Sequence, residues 1–267
     1  MAGLVSLGIG VGAIGTLVGA GGGFILIPVL ALLNPRESPQ VLTAISLSVV
    51  LVNAISGSLS YARQGRIDYR SGWVFALAGL PGAVLGAWLT RFLDRRVFDP
   101  LVGVALILGA AFILWRPGGT SRSAASTGTR RLVERDGTVY VFTPRVGLGA
   151  LASVGISCVS SLIGIGGGII HVPVMVLALG FPTHVATATS HFVLAILVLA
   201  GVIVHAADGS LAPGIMRAIP LAVGAAIGAP FGAWLSTRIG GRWILRGLAI
   251  GLASVGLRLL LSQVWKA

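Results

Sequence analysis

The chain has 267 residues, of which 55% are hydrophobic and only 10% are charged, and its formal net charge is +12. Because soluble domains carry about 25% charged residues, this composition excludes an ordinary soluble domain and predicts a membrane protein. The excess of basic residues does not indicate a nucleic-acid partner. It lies mostly in short loops between apolar segments, where arginine orients a membrane protein and contacts anionic lipid.

Eight apolar segments follow one another along the chain, and most have the length of about 18–22 residues that spans a bilayer as a helix. The predicted fold class is therefore an all-α polytopic membrane protein with about four hydrophobic segments in each half. The segments are Leu4–Leu33, Val41–Tyr61, Trp73–Leu93, Val97–Trp115, Val146–Leu179, Val185–His205, Ile215–Leu235 and Ile244–Leu261.

The first and fifth segments are too long for one straight crossing, and each contains a glycine cluster near its middle. Consecutive glycines weaken a helix by about 1 kcal/mol each relative to alanine. A broken backbone inside a bilayer is tolerated only where protein or water satisfies its N–H and C=O groups. We therefore expect both segments to be broken, at Gly19–Gly23 and at Gly164–Gly168.

A polar stretch, 116–145, separates the two halves and is predicted to be a linker. Within it, Asp136-Gly137 stands between residues that alternate in polarity, a pattern typical of a β-hairpin. The predicted organisation is a first transmembrane repeat, 1–115, this linker, and a second transmembrane repeat, 146–267. The chain is expected in the inner membrane, and the excess of basic residues on the linker side favours a cytoplasmic linker.

The two halves repeat the same pattern about 145 residues apart. Three pairs of blocks match in register: Leu17–Val29 with Leu162–Val174, Thr43–Ser46 with Thr187–Ser190, and Gly82–Leu89 with Gly228–Leu235. Four crossings in each half would make the repeats parallel, whereas three crossings and a re-entrant hairpin would make them inverted. Both topologies place about 13 basic residues on the linker side and about 6 opposite, so this count does not separate them, although the broken segments favour inversion.

The glycine clusters and the helix that follows each of them contain the candidate substrate-binding residues. A half-helix that begins at a break presents free N–H groups and the positive end of its dipole to an anion. Hydroxyl and amide groups nearby can donate to the oxygens of the same anion. The alternative is that the glycines serve only close helix packing and the hydroxyls only interhelical hydrogen bonds. The predicted substrate-binding residues are Gly21, Gly22, Gly23, Thr43, Ser46, Asn53, Gly166, Gly167, Gly168, His171, Thr187, Thr189, Ser190 and His191.

Two histidines distinguish the second half from the first, because His171 stands where the first half has Leu26 and His191 where it has Leu47. Ionisable residues inside a membrane are candidates for substrate or proton handling. The alternative is that these histidines serve only packing. A pair without neighbouring Cys, Asp or Glu is a weak metal site, and no metal, cofactor or catalytic residue is predicted. His205 lies near a segment end and is expected at the membrane interface.

All seven acidic residues fall in loops or at segment ends. Cation pumps and carboxylate proton relays usually place an acid within the bilayer core. The sequence therefore predicts a pathway that prefers a small anion, or is neutral, rather than one for a cation.

These features together resemble the sulfite exporter TauE/SafE family of bacterial membrane transporters. The resemblance covers nearly the whole chain and rests on the duplicated glycine-rich segments that end in Pro28 or Pro173, the Thr/Ser-rich second helix, and the block Pro81–Ala87. It implies transport of sulfite, sulfoacetate or related organosulfonates. The family's usual Gly-Thr-Ser pattern is altered in both halves, to Ala44-Ile45-Ser46 and to Ala188-Thr189-Ser190.

The leading hypothesis is a secondary transporter that binds a small anion between the two halves near the bilayer midplane, with proton coupling as one mode. The chain has no nucleotide-binding motif, which argues against direct coupling to ATP. An anion channel shares the same signals. An intramembrane hydrolase using Ser190 or Ser160 with a histidine is a further alternative, but no buried acid orients such a pair. The expected partners are the substrate, the lipid bilayer and a second copy of the chain in a homodimer.

Overall fold

A computed structural model describes residues 1–115 and 129–264, which form ten α-helices and one β-hairpin. Four helical stretches are long and apolar enough to cross a membrane: Pro39–Gln64, Tyr69–Phe92, Thr183–Ala207 and Ala212–Leu235. The helices are α1 (Ala2–Val18), α2 (Gly23–Leu33), α3 (Pro39–Gln64), α4 (Tyr69–Leu89), α5 (Arg95–Trp115), α6 (Val146–Leu162), α7 (Gly168–Leu177), α8 (Thr183–Ala207), α9 (Ile215–Leu235) and α10 (Gly241–Val264).

Both overlong segments are broken at their glycine clusters, as the sequence predicts. In the first, the backbone is left-handed at Gly21 and Gly22, with φ of 76° and 83°, and α2 begins at the next residue. In the second, Gly166 and Gly167 have φ of 89° and 94° before α7 begins. Residues with a Cβ atom rarely adopt this left-handed backbone conformation, so glycine is the residue that permits the break.

Each broken segment folds back on itself as a helical hairpin. Gly22 packs against the side chain of Val11, about halfway along α1. At the far end of α2, Asn34 Oδ1 accepts a hydrogen bond from Arg217 Nη1 at 2.9 Å. Arg217 belongs to the first turn of α9, and Gly8 near the start of α1 packs against Leu221 in the next turn of α9. The end of α2 therefore returns to the side of the bundle on which α1 begins.

The second hairpin has the same form. Gly167 lies beside Ser160 at the end of α6, and one turn later His171 Nε2 is 2.8 Å from the Ser153 hydroxyl. Successive residues along α7 thus contact residues that lie progressively earlier in α6. Consequently α7 returns to the side on which α6 begins, which is the side of the linker.

The directions of the remaining helices follow from their contacts. Helices α3 and α8 are antiparallel, because Thr43 near the start of α3 is 3.3 Å from His205 near the end of α8, whereas Gly57 packs against His191. Helices α5 and α10 are also antiparallel, since Gly103 packs against Leu260 and Gly109 against Leu252. We call the face with the β-hairpin the linker side, and the opposite face, where α1 begins, the terminal side.

Helices α1 and α6 each pack along a helix of the other half. Helix α1 lies parallel to α9, where Gly224, Gly228 and Gly232 meet the α1 backbone. Helix α6 lies parallel to α4, where Gly82 and Gly86 meet the α6 backbone. Small residues allow this close approach, which favours helix association in a bilayer.

The β-hairpin pairs β1 (Arg130–Val133) with β2 (Val139–Phe142) around the predicted Asp136-Gly137 turn. It is attached to the α3–α4 connection, since Glu134 Oε2 is 2.8 Å from Arg66 Nε and Arg130 forms an ion pair with Asp68. The first part of the predicted linker, 116–128, lies outside the described residues.

Candidate functional site

The two glycine breaks meet at the centre of the bundle. A Cβ added to Gly23 would collide with the Ile165 carbonyl group, and one added to Gly168 would collide with Gly19 and Ala20. All these residues are buried. Helix α2 leads from this point to the terminal side and α7 leads to the linker side, so their N-termini lie head to head. Two positive dipole ends therefore converge in the same buried region.

A serine of each half holds the break of the other half. Ser46 Oγ donates to the Gly164 carbonyl oxygen at 2.7 Å, and Ser190 Oγ donates to the Gly19 carbonyl oxygen at 3.2 Å. The neighbouring threonines follow the same rule, because Gly164 packs against Thr43 and Gly19 against Thr187. In this conformation both serine hydroxyls satisfy backbone carbonyls, which a broken helix leaves without partners.

A polar network supports the first break. Asn53 Nδ2 donates to the Gly21 carbonyl oxygen at 3.0 Å, and its Oδ1 accepts from Thr16 Oγ1 at 3.1 Å. The Thr16 hydroxyl is also 3.2 Å from His191 Nε2, and the Thr16 backbone carbonyl oxygen accepts a hydrogen bond from the Tyr61 hydroxyl at 2.7 Å. Four side chains from α1, α3 and α8 are thereby joined around one carbonyl of the break.

The second break is bordered by serines of α6 that the sequence analysis did not place in a substrate site. Ser153, Ser157 and Ser160 are spaced so that they lie on one helical face, and all three are buried. Ser153 contacts His171, and Ser160 lies beside Gly167. Their spacing is the signal that could have identified them.

Two of the predicted or weighed residues have other surroundings. Thr189 Oγ1 accepts a hydrogen bond from the Asp68 backbone N–H at 3.0 Å, so it supports the α3–α4 connection rather than a break. His205 is 1% exposed and contacts Thr43. The side chain of His205 is buried at the end of α8 because α3 packs over that end, and its place at the membrane interface stays a prediction.

Negative charge stays away from the breaks. The buried carboxylates Asp68, Asp99 and Glu134 each form an ion pair with an arginine, at helix ends or in the hairpin. Among the described residues, no group of three His, Cys, Asp or Glu side chains is placed to hold a metal ion. The centre of the bundle is thus lined by backbone, hydroxyl, amide and imidazole groups.

Apolar helices of spanning length and two paired, glycine-broken helices define a multi-pass membrane protein of the transporter class. The chain belongs to the sulfite exporter TauE/SafE family, whose profile matches residues 4–259. The resemblance noted from the sequence is therefore confirmed.

Relatives of the chain carry the name of membrane transporters. It is 28% identical to the probable membrane transporter protein YunE of Bacillus subtilis, over 98% of both chains. It is 26% identical to a probable membrane transporter protein of Methanocaldococcus jannaschii, over 75% of this chain and 70% of the relative. It is also 26% identical to the probable membrane transporter protein y4hK of Sinorhizobium fredii, over 84% of both chains. No solved structure matches the chain.

Proposed function

We propose that the protein is a secondary transporter that moves sulfite, sulfoacetate or a related small organic anion across the bacterial inner membrane. The substrate binds between the two halves, where the glycine breaks meet, and the linker is cytoplasmic. The observation that carries this proposal is the head-to-head meeting of α2 and α7. Two helix N-termini supply N–H donors and positive dipole ends to an anion, while the carboxylates lie at helix ends, in loops or in the β-hairpin.

We further propose that 1–115 and 146–267 are inverted repeats. Counterpart helices occupy the same position in the order of each half. However, α3 runs antiparallel to α8, and α5 runs antiparallel to α10. The return of α2 and α7 to the sides from which α1 and α6 start leaves three crossings in each half. Such a pair of halves can rock against each other around a central site and expose it alternately to the two sides.

Tight packing at the breaks supports a carrier rather than an open channel. Gly21 and Gly166 both pack against Val50 and Leu194, and a Cβ on either glycine would meet one of these side chains. An anion can pass this centre only if the helices around it move. Relatives named as membrane transporters support a protein without a catalytic reaction.

Transport assays with purified protein in sealed vesicles test the proposal. We expect saturable uptake of labelled sulfite or sulfoacetate that accelerates when the vesicles contain the same unlabelled anion. Gly23→Ala should abolish this uptake, because its Cβ would lie 2.8 Å from the Ile165 carbonyl carbon. Gly155→Ala is the matched control, since a Cβ there meets nothing within 4 Å.

Two results would count against the proposal. Absence of flux for every sulfur anion by folded protein would refute transport of this substrate class. Flux that never saturates and shows no exchange would indicate a channel instead.

A further inference from the structure

The two breaks differ in the side chains that face them. On α6, Ser153, Ser157 and Ser160 occupy the positions that Gly8, Gly12 and Gly15 have on α1. Neighbouring backbone occupies the space beside the glycines of α1. Gly8 and Gly12 pack on α9, and Gly15 packs on Gly22. In the first half, the space beside the break is therefore occupied by the protein itself.

Hydroxyl groups stand at the corresponding positions of the second half, where Ser157 faces Gly79 of α4 and Ser160 faces the start of α7. The Oγ atoms of Ser157 and Ser160 are buried, and neither has a hydrogen-bond partner among the described residues. These side chains are 2% and 1% exposed. Buried hydroxyls are normally hydrogen-bonded, so two without partners on one helical face require an explanation.

Ser160 points at the start of α7. A Cβ on Gly167, the residue that precedes this ten-residue helix, would lie 3.7 Å from Ser160 Oγ and 3.4 Å from His171 Nδ1. The hydroxyl thus flanks the N–H groups that begin the helix. In the first half the equivalent positions are Gly15 and Leu26, which offer no side-chain donor.

We propose that the N-terminus of α7, with the hydroxyl of Ser160, is the subsite at the meeting point of the two breaks that binds the oxyanion group of the substrate. The proposal rests on the proposed function as an anion transporter. Backbone N–H groups, a helix dipole and the Ser160 hydroxyl converge there on one position.

The substitution Ser160→Ala tests the subsite by binding and stability together. Because the Ser160 hydroxyl has no hydrogen-bond partner among the described residues, its removal should leave the melting temperature unchanged or slightly higher. Loss of a hydrogen bond to a charged ligand should weaken sulfite binding about tenfold or more. Binding of sulfite, sulfoacetate and inorganic phosphate is measured calorimetrically on purified full-length protein.

Ser58→Ala is the matched control, because its buried hydroxyl also lacks a partner among the described residues but belongs to α3. It should leave affinity unchanged. If Ser160→Ala binds sulfite as the wild type does, or loses stability rather than affinity, the subsite is refuted while transport stands. If the wild type neither binds nor transports any of these anions, the proposed function fails, and the subsite fails with it.

Discussion

At the scale of single residues, Ser46 and Ser190 form matching hydrogen bonds that each cross from one half of the chain to the break of the other. Replacing either by alanine leaves a buried carbonyl oxygen without its donor, which costs about 1–3 kcal/mol. We therefore expect Ser46→Ala and Ser190→Ala to lower the midpoint of thermal unfolding in detergent, and to lower transport with it.

Ser48→Ala is the control for this prediction. Its hydroxyl donates to the Ala44 carbonyl oxygen of its own helix at 2.8 Å, and that oxygen belongs to the regular α3 backbone. Its removal should leave the unfolding midpoint nearly unchanged. An equal loss of stability in all three variants would mean that the hydrogen bonds between the halves stabilise the fold no more than the bond within α3 does.

The sequence predicted the residue types at the breaks but not their partners. Repetition of the glycine clusters indicated that Thr43, Ser46, Thr187 and Ser190 lie near them. It did not indicate that each serine bonds to the opposite half, because this depends on α3 and α8 running antiparallel. For the same reason the burial of His205 was missed, since its position at a segment end says nothing of the helix that covers it.

At the scale of elements, the β-hairpin is joined to the bundle by buried charge. Tyr140 on β2 has its pKa raised from 10.0 to about 12, first by burial and then by the nearby Glu134 carboxylate. A raised pKa in the folded state favours the neutral phenol. The associated stability is complete below pH 10 and is lost as the pH rises towards 12.

Glu134→Gln should lower the pKa of Tyr140 but leave it above 10, because burial remains the larger cause. Asp136→Asn should change this pKa less, since Asp136 contributes the least of the named charges. The ultraviolet absorbance of ionised tyrosine against pH measures the shift, and Tyr140→Phe assigns the signal. A Tyr140 that titrates near 10 in the wild type would show that the hairpin is not held against the bundle.

The hairpin also marks what the pattern of single elements can predict. The Asp136-Gly137 turn and its alternating flanks predicted two strands, and both are present. The anchoring ion pairs were not predictable, because Arg66 and Asp68 lie far from Glu134 and Arg130 in the sequence. Only the fold brings the α3–α4 connection to the linker side.

At the scale of the whole molecule, the helical hairpins decide on which side each loop lies. With the breaks as re-entrant hairpins, Asp208 in the α8–α9 connection lies opposite the linker. With eight simple crossings, Asp208 and the linker would share a side. Counts of basic residues are equal for the two arrangements, which is why the sequence left the topology open.

Cysteine labelling in whole cells tests this arrangement. In a Cys158→Ser background, Asp136→Cys and Asp208→Cys should react from opposite sides with a reagent that does not cross the membrane. We expect the Asp208→Cys variant to be labelled in intact cells and the Asp136→Cys variant only after lysis, since the linker is proposed to be cytoplasmic. Labelling of both variants in intact cells, or of neither, would contradict the inverted arrangement.

The hydrogen bonds between the halves can form only late in the synthesis of the chain. The Gly19 carbonyl oxygen and its donor Ser190 are 171 residues apart in the chain. At a synthesis rate of about 5–20 residues per second, Ser190 is synthesised roughly 10–30 s after the first break. During this time the nascent first half holds an unsatisfied backbone in the translocon or the membrane.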